Sequence, residues 1–335
     1  MNSPQRTATD GAVVTAGARE SVVLLRIRAS WERWRRFARV FRASRLGMTG
    51  FILLMVFVAM AVSAPLLTSL GFMRNPNAPL CGADFHYCDP AEADRMQYQP
   101  PNDIVWLGTD QGARDLFSRL WWGTQVTILI GLLASLLSMG LGVFIGLIAG
   151  YYGGWVDELL MRITDFFLVL PTLVLALILA AYFREATGGQ ITTLNVILVI
   201  GIGLWSTTTR LVRSQVLSLK QRQFVERARA VGAGNTRIVW YHIFPNAFSL
   251  VFAEAILTIS VAILSESFLS FIGLGPRDAI TWGRMIEDAD RNSAIEQGLV
   301  WWIISPGLAI VMVVLAFTLL GYALDEIFNP RLRKR

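Results

Sequence analysis

The sequence predicts an all-α protein, a polytopic transmembrane bundle of six spans, and three observations carry that prediction. Only 16% of its 335 residues are charged while 54% are hydrophobic, against roughly 25% charged in an ordinary soluble domain. Several apolar runs reach the roughly 20 residues that a helix needs to cross a hydrocarbon layer about 30 Å thick. The Lys and Arg residues gather beside those runs, as membrane topology requires, so the net charge of +6 points to membrane lipid as a partner and not to nucleic acid.

The first 46 residues read as a cytoplasmic tail. Within it Ser21 to Arg45 has helical spacing, with Trp31, Trp34, Phe37, Ala38 and Phe41 recurring every three or four positions among Arg33, Arg35, Arg36, Arg39 and Arg42. That pattern suits a basic amphipathic helix in the headgroup layer; a basic stretch that only sets topology is the rival reading. Span candidates follow at Gly47 to Leu67, Thr124 to Gly150, Leu160 to Phe183, Thr193 to Leu211, Ala247 to Leu269 and Leu299 to Leu320. Ala61-Val62-Ser63-Ala64 has the look of a cleavage site, but the long Arg-rich approach and the later spans favour an uncleaved anchor. The resulting division is a tail (1–46), a first span (47–69), an extracytoplasmic loop (70–123), a five-span core (124–323) that includes a cytoplasmic loop (214–246), and a cytoplasmic tail (324–335).

Orientation follows from the cations. The N-terminal tail, the loop bearing Arg213, Lys220, Arg222, Arg227, Arg229 and Arg237, and the closing Arg331-Leu332-Arg333-Lys334-Arg335 all fall on one side, which the positive-inside rule makes cytoplasmic. The opposite loops are acidic, with Asp103, Asp110 and Asp115 in the first and Asp278, Glu287, Asp288 and Asp290 in the last. Cys81 and Cys88 then lie outside, where a disulfide can form; two free thiols, or a metal site with His86, are the alternatives.

Inside the spans, Gly142, Gly146 and Gly150 share a helix face and predict close helix packing. Pro171 and Pro306 remove helix hydrogen bonds and predict kinks, either for gating or as static shape. Arg162 and Asp165 stand one turn apart and are expected to pair, and Arg210 can snorkel. Glu254 falls two turns into the fifth span, where a carboxylate either lines a pathway or bonds between helices. No acid–base relay, phosphate loop, zinc motif or Ser/His/Asp set is present, so no enzyme activity is expected and the energy for transport must come from a partner.

The loop Gln223-Phe224-Val225-Glu226-Arg227-Ala228-Arg229-Ala230-Val231-Gly232-Ala233-Gly234 predicts a short helix from Phe224 to Val231 with a Gly-rich stop, followed by a segment ending at Pro245. A stiff, basic helix with an apolar edge is a docking element. This stretch resembles the EAA loop of ABC-importer permeases: Glu226, Ala228, Gly232 and Pro245 hold the family's places, with eleven residues between Gly232 and Phe244. Arg227 and Phe244 depart from the usual Ala and Leu. The run Leu107-Gly108-Thr109-Asp110-Gln111-Gly112-Ala113-Arg114-Asp115 resembles a motif of dipeptide and oligopeptide permeases, with Ala113 where Gly is usual, and so do Leu269-Ser270-Phe271-Ile272-Gly273-Leu274-Gly275, Trp282-Gly283-Arg284-Met285 and Asn329-Pro330-Arg331.

The resemblance implies a type I ABC-importer permease fold of the C type, working in a prokaryotic cell membrane with both termini cytoplasmic. It also implies a second, B-type permease, two ATPase subunits carrying ATP and Mg, and an extracytoplasmic binding protein; this chain itself holds no cofactor. Glu226, Arg227, Ala228, Arg229, Ala230, Gly232, Ala233 and Pro245 become the ATPase-coupling residues. Glu254, Asp165 and Arg210 are candidates for the pathway or for interhelical bonding. Peptides are the expected cargo; nickel chelates, glutathione or oligosaccharides are the alternatives within the same machine, and a self-sufficient secondary transporter is the alternative outside it. Residues 72–104 read as an insertion that contacts the binding protein or braces the outer face.

Overall fold

The computed structural model describes residues 31, 35, 38–80 and 94–328. Cys81, Cys88 and most of the amphipathic stretch from Ser21 lie outside them; residues 38–43 are helical. The elements are α1 (Arg45–Ser69), α2 (Leu116–Tyr152), α3 (Gly154–Val169), α4 (Thr172–Ala186), α5 (Thr193–Leu219), α6 (Gln223–Ala230), α7 (Asn235–Leu274), α8 (Trp282–Arg291) and α9 (Val300–Phe328). Among the described residues, α1, α2, α5, α7 and α9 are each long and apolar enough to cross a bilayer, and α3 with α4 is a sixth candidate, apolar enough when taken together but sharply bent between the two helices.

Two boundaries differ from the sequence reading. The second span begins at Leu116, eight residues before the expected start at Thr124, because Asp115 caps it by accepting from the backbone N–H groups of Phe117 and Ser118. The fourth span continues through Leu219, so Arg213 belongs to a helix and not to the loop.

The third span departs most. A single kinked helix was expected from Leu160 to Phe183, but α3 and α4 meet at Leu170–Pro171 at 92°. Pro171 has no N–H, and its ring drives Leu170 into extended backbone, the steric effect of proline on the residue before it. At about 1.5 Å per residue neither piece reaches 30 Å alone. Pro306, by contrast, sits inside α9 without interrupting it.

The bundle is built around α2 and α5. A Cβ on Gly142, Gly146 or Gly150 would stand 2.6–2.8 Å from Thr208, from Val212 and the Thr209 carbonyl, or from Val216, so the missing side chains are what let the two helices meet. At the end bearing the acidic loops, Asp110 accepts from the backbone of Gly112 and Arg114 and from the Arg114 side chain at 2.8 Å, and lies 3.5 Å from the buried Arg119, which also reaches Asp288 at 3.1 Å. Ala113 inside this turn has φ +55°, the left-handed region that explains why Gly is usual there. Trp282, fully buried at the start of α8, donates from Nε1 to the Leu120 carbonyl and packs edge-on against Phe57. This acidic loop thus contains a helix that the sequence reading did not foresee, with Trp282, Met285 and Ala289 on its buried face.

Two outcomes follow from this packing. Gly146→Leu should lower stability by about 2–3 kcal/mol through overpacking, read as a fall in thermal midpoint of the detergent-solubilised protein, whereas Gly140→Ala, with open space around it, should leave the midpoint unchanged or slightly raised. Asp110→Ala should be destabilising by about 3 kcal/mol because it strips a partner from a buried guanidinium, and adding Arg119→Met should recover part of that loss.

Candidate functional site

The helix α6 and its supports occupy the basic end of the bundle. Its interior is helical because Gln223 to Ala230 contains no Gly, Pro or β-branched run beyond Val225. Its stop is a Schellman turn: Gly232 N–H donates to the Arg229 carbonyl and Ala233 N–H to the Ala228 carbonyl, both at 3.0 Å, around Gly232 at φ +85°. Ala228 and Ala233, which flank that turn, pack together against the buried cluster beneath. Nothing lies within 4 Å of a Cβ built on Gly232, so the constraint there is backbone conformation and not space.

The sequence reading assigned the apolar edge of this helix to a partner. The structure divides that edge. Val225 is fully buried within the subunit, among Leu147, Val212, Val216 and Ile238, and serves as the pin that seats α6 on the bundle. Phe224, Arg227 and Val231 share an exposed edge beside it, within an arc of about 60°, where Val231 is 89% exposed. Glu226, Arg229 and Ala230 are also exposed, with Glu226 in the first turn, where a carboxylate complements the helix dipole.

Two hydrogen bonds tie the loop to α2. Lys220 donates from Nζ to the Gly150 carbonyl at 2.9 Å, and the Tyr151 hydroxyl bonds Asn235 Oδ1 at 2.8 Å at the start of α7. From the sequence Lys220 reads only as one of the cations that set orientation and Tyr151 carries no signal, because these bonds span 70 and 84 positions of chain. After an α-helical turn over Asn235–Ile238, α7 continues as a π-helical turn over Val239–Ile243 that ends two residues before Pro245. That wider turn accommodates a proline without an N–H, and Asn246 Nδ2 bonds the His242 carbonyl beside it.

The remaining candidates separate. Arg162 does not pair with Asp165; it reaches Glu158 one turn back at 2.8 Å, and Asp165 is bonded by Arg210 of α5 at 2.6 Å. The i,i+4 arrangement with Glu ahead of Arg is the favoured helical pair, and α3 crosses α5 so that Asp165 meets Arg210 while Asp157 accepts two bonds from Arg213. Glu254 is half-buried on α7, and its backbone carbonyl accepts from the Thr258 hydroxyl at 2.9 Å. A second carboxylate, Glu266, is fully buried and accepts from Ser270 and Ser267. It lies three residues before the family motif that begins at Leu269, and its spacing of four to Ser270 is the signal the sequence offers. Among the described residues no group of three or more His, Cys, Asp or Glu side chains converges on a metal position.

Comparison with known proteins gives consistent matches. Residues 142–334 match the model of the binding-protein-dependent transport system inner membrane component, and residues 32–101 that of the N-terminal transmembrane domain of oligopeptide transport permease C. The chain is 32% identical to the dipeptide transport system permease protein DppC of Alkalihalophilus pseudofirmus over 302 residues, 90% of each. It is 30% identical to the oligopeptide transport system permease protein OppC of Bacillus subtilis over the full length of both. It is 32% identical to the glutathione transport system permease protein GsiD of Pectobacterium atrosepticum over 92% of this chain and 93% of that one. Among solved structures, the inward-facing MetNI methionine ABC transporter aligns with 65% of this chain and 97% of its own at a TM-score of 0.51 and 19% identity. The shared architecture is the type I ABC-importer permease fold.

The tie between α2 and the loop is directly testable. Tyr151→Phe should weaken the loop's attachment by about 1 kcal/mol, measured as faster amide hydrogen exchange across residues 223–238 with exchange in the centre of α2 unchanged.

Proposed function

The chain belongs to the family of binding-protein-dependent transport system inner membrane components, and on that premise we propose that it is the C-type permease half of an ABC importer that carries short peptides into a prokaryotic cell. A B-type permease completes the membrane-embedded pair, two ATPase subunits bind ATP and Mg at the cytoplasmic face, and an extracytoplasmic binding protein delivers cargo. Both termini are cytoplasmic in this reading, in keeping with the cluster of Arg and Lys at the basic end. Hydrolysis takes place on the ATPases, and this chain contributes motion and passage.

The observation that carries the reading is α6: a capped, outward-facing helix pinned to the bundle by one buried valine. Its Phe224, Arg227 and Val231 edge is the surface offered to an ATPase groove. Glu226, Ala228, Arg229, Ala230 and Ala233 shape and cap the helix, and Pro245 marks where force enters α7. When the ATPases close on ATP, displacement of α6 passes through Val225 into α2 and α5, and through Tyr151 and Asn235 into α7. The bundle then changes which side is open, as a two-state element biased by contacts with its partners.

Gly232→Val tests the coupling role. A β-branched residue in the left-handed region is strained by about 1–2 kcal/mol or more, so the helix stop should be lost while membrane insertion persists. In proteoliposomes holding all partners, ATP-driven uptake should fall at least about tenfold, in line with loss of one coupling element of a few kcal/mol. Uptake at the wild-type rate would refute the assignment. Similarity to a glutathione permease at 32% identity makes glutathione the second cargo to assay. Competition of labelled dipeptide and tripeptide uptake by glutathione, by a nickel chelate and by an oligosaccharide identifies the substrate class.

A further inference from the structure

The exposed surface of α5 is unlike that of a lipid-facing helix. On α1 the exposed positions include Phe51, Ile52, Met55, Val56, Val62 and Leu66, the composition expected against acyl chains. On α5, among the described residues, the exposed positions are Leu194 near one end and then Thr207, Arg210, Ser214 and Ser218. At 3.6 residues per turn these four polar residues fall within an arc of about 80°, so they form one continuous stripe.

Depth makes the stripe informative. Thr193, at the start of α5, bonds Asp278 at the acidic end of the bundle. Arg210 lies about 25 Å further along the axis at 1.5 Å per residue, still within the hydrocarbon thickness of about 30 Å. There its guanidinium pairs with Asp165, and the two side chains remain 56% and 53% exposed. The short Asp165 side chain, fixed on α3 beyond the 92° break, has little reach with which to snorkel. Ionised groups at such depth face protein or water and not lipid. The Arg210 pair, the hydroxyls of Thr207, Ser214 and Ser218, and the absence of a large exposed apolar residue beyond Leu194 all favour water.

We propose that the stripe Thr207–Arg210–Ser214–Ser218, with Asp165 opposite Arg210, is the wall of a water-filled cavity on the basic side of the membrane through which a hydrated, zwitterionic cargo leaves. Thr207 stands at its deepest point and the Asp165–Arg210 pair about one turn nearer the basic side, where each member can exchange its partner for the ammonium or carboxylate of a passing peptide. The cargo part of this inference rests on the peptide-importer reading above; the water-filled wall does not.

Cysteine accessibility tests it in the assembled transporter. With Cys81 and Cys88 replaced by Ser, Thr207→Cys and Ser214→Cys are compared in nanodiscs with Val56→Cys on the apolar face of α1 and with the exposed loop position Ile104→Cys, using a permanently cationic methanethiosulfonate. Both stripe positions should react at least about tenfold faster than Val56→Cys, as water access at membrane depth requires, and trapping the ATPases with ATP and vanadate should change the Thr207→Cys rate. Reaction as slow as Val56→Cys in every state would overturn the proposal, whether lipid or a packed partner covers the stripe. Asp165→Arg with Arg210→Asp adds a second readout: each single charge reversal should abolish peptide uptake and the swap should restore at least part of it. A labelled stripe in a transporter that moves no peptide would leave the cavity standing and remove the peptide reading.

Discussion

The backbone approach of α2 and α5 along Gly142, Gly146 and Gly150 is the contact on which the rest of the molecule hangs. Lipid tails are as apolar as the side chains facing them, so burial alone does not hold two spanning helices together, and close packing must. Here three missing side chains admit Thr208, Thr209, Val212 and Val216 to the α2 backbone. The same helix ends then receive the loop: Gly150 offers its carbonyl to Lys220, Tyr151 bonds Asn235, and Val225 shares one buried cluster with Val212 and Val216. A side chain at Gly150 would therefore disturb helix packing and loop attachment together.

The two ends of the bundle treat charge in opposite ways. At the acidic end Arg119 is buried between Asp110 and Asp288, Glu287 is buried between Arg277 and Arg291, and Trp282 plugs the gap beside them. Buried pairs of this kind are costly to break and hold one arrangement. At the basic end the Arg210–Asp165 and Arg162–Glu158 pairs are more than half exposed, and exposed pairs contribute little to stability. The Arg213–Asp157 pair, joined by two hydrogen bonds, is the more buried exception at the basic end.

The break between α3 and α4 decides which charges meet. The turn at Leu170–Pro171 carries α3 away from the axis of α4 and across the inner part of α5. Asp165 is thereby brought to Arg210 and Asp157 to Arg213, and α3 becomes an arm laid on the helix that leads directly to α6. A straight span would have carried Asp165 along its own axis with only Arg162 within reach, which is the pairing that local spacing suggests.

Local physics made much of this protein legible in advance. Apolar run length, the glycine stripe of α2 and the helix-then-glycine pattern of residues 224–232 are all properties of short windows, and the long apolar helices, the close approach of α2 to α5 and the stop of α6 lie at those stretches. The cap at Asp115 and the buried face of Trp282, Met285 and Ala289 were equally local and could have been read. Tertiary structure alone decided the 92° angle at Pro171, the partner of Asp165, the inward turn of Val225 and the tie from Lys220 to Gly150. Proline dictates that a helix is interrupted but leaves the direction of the next segment to whatever it packs against, and a charge chooses its partner by distance in space. Those quantities exist only after the helices have docked.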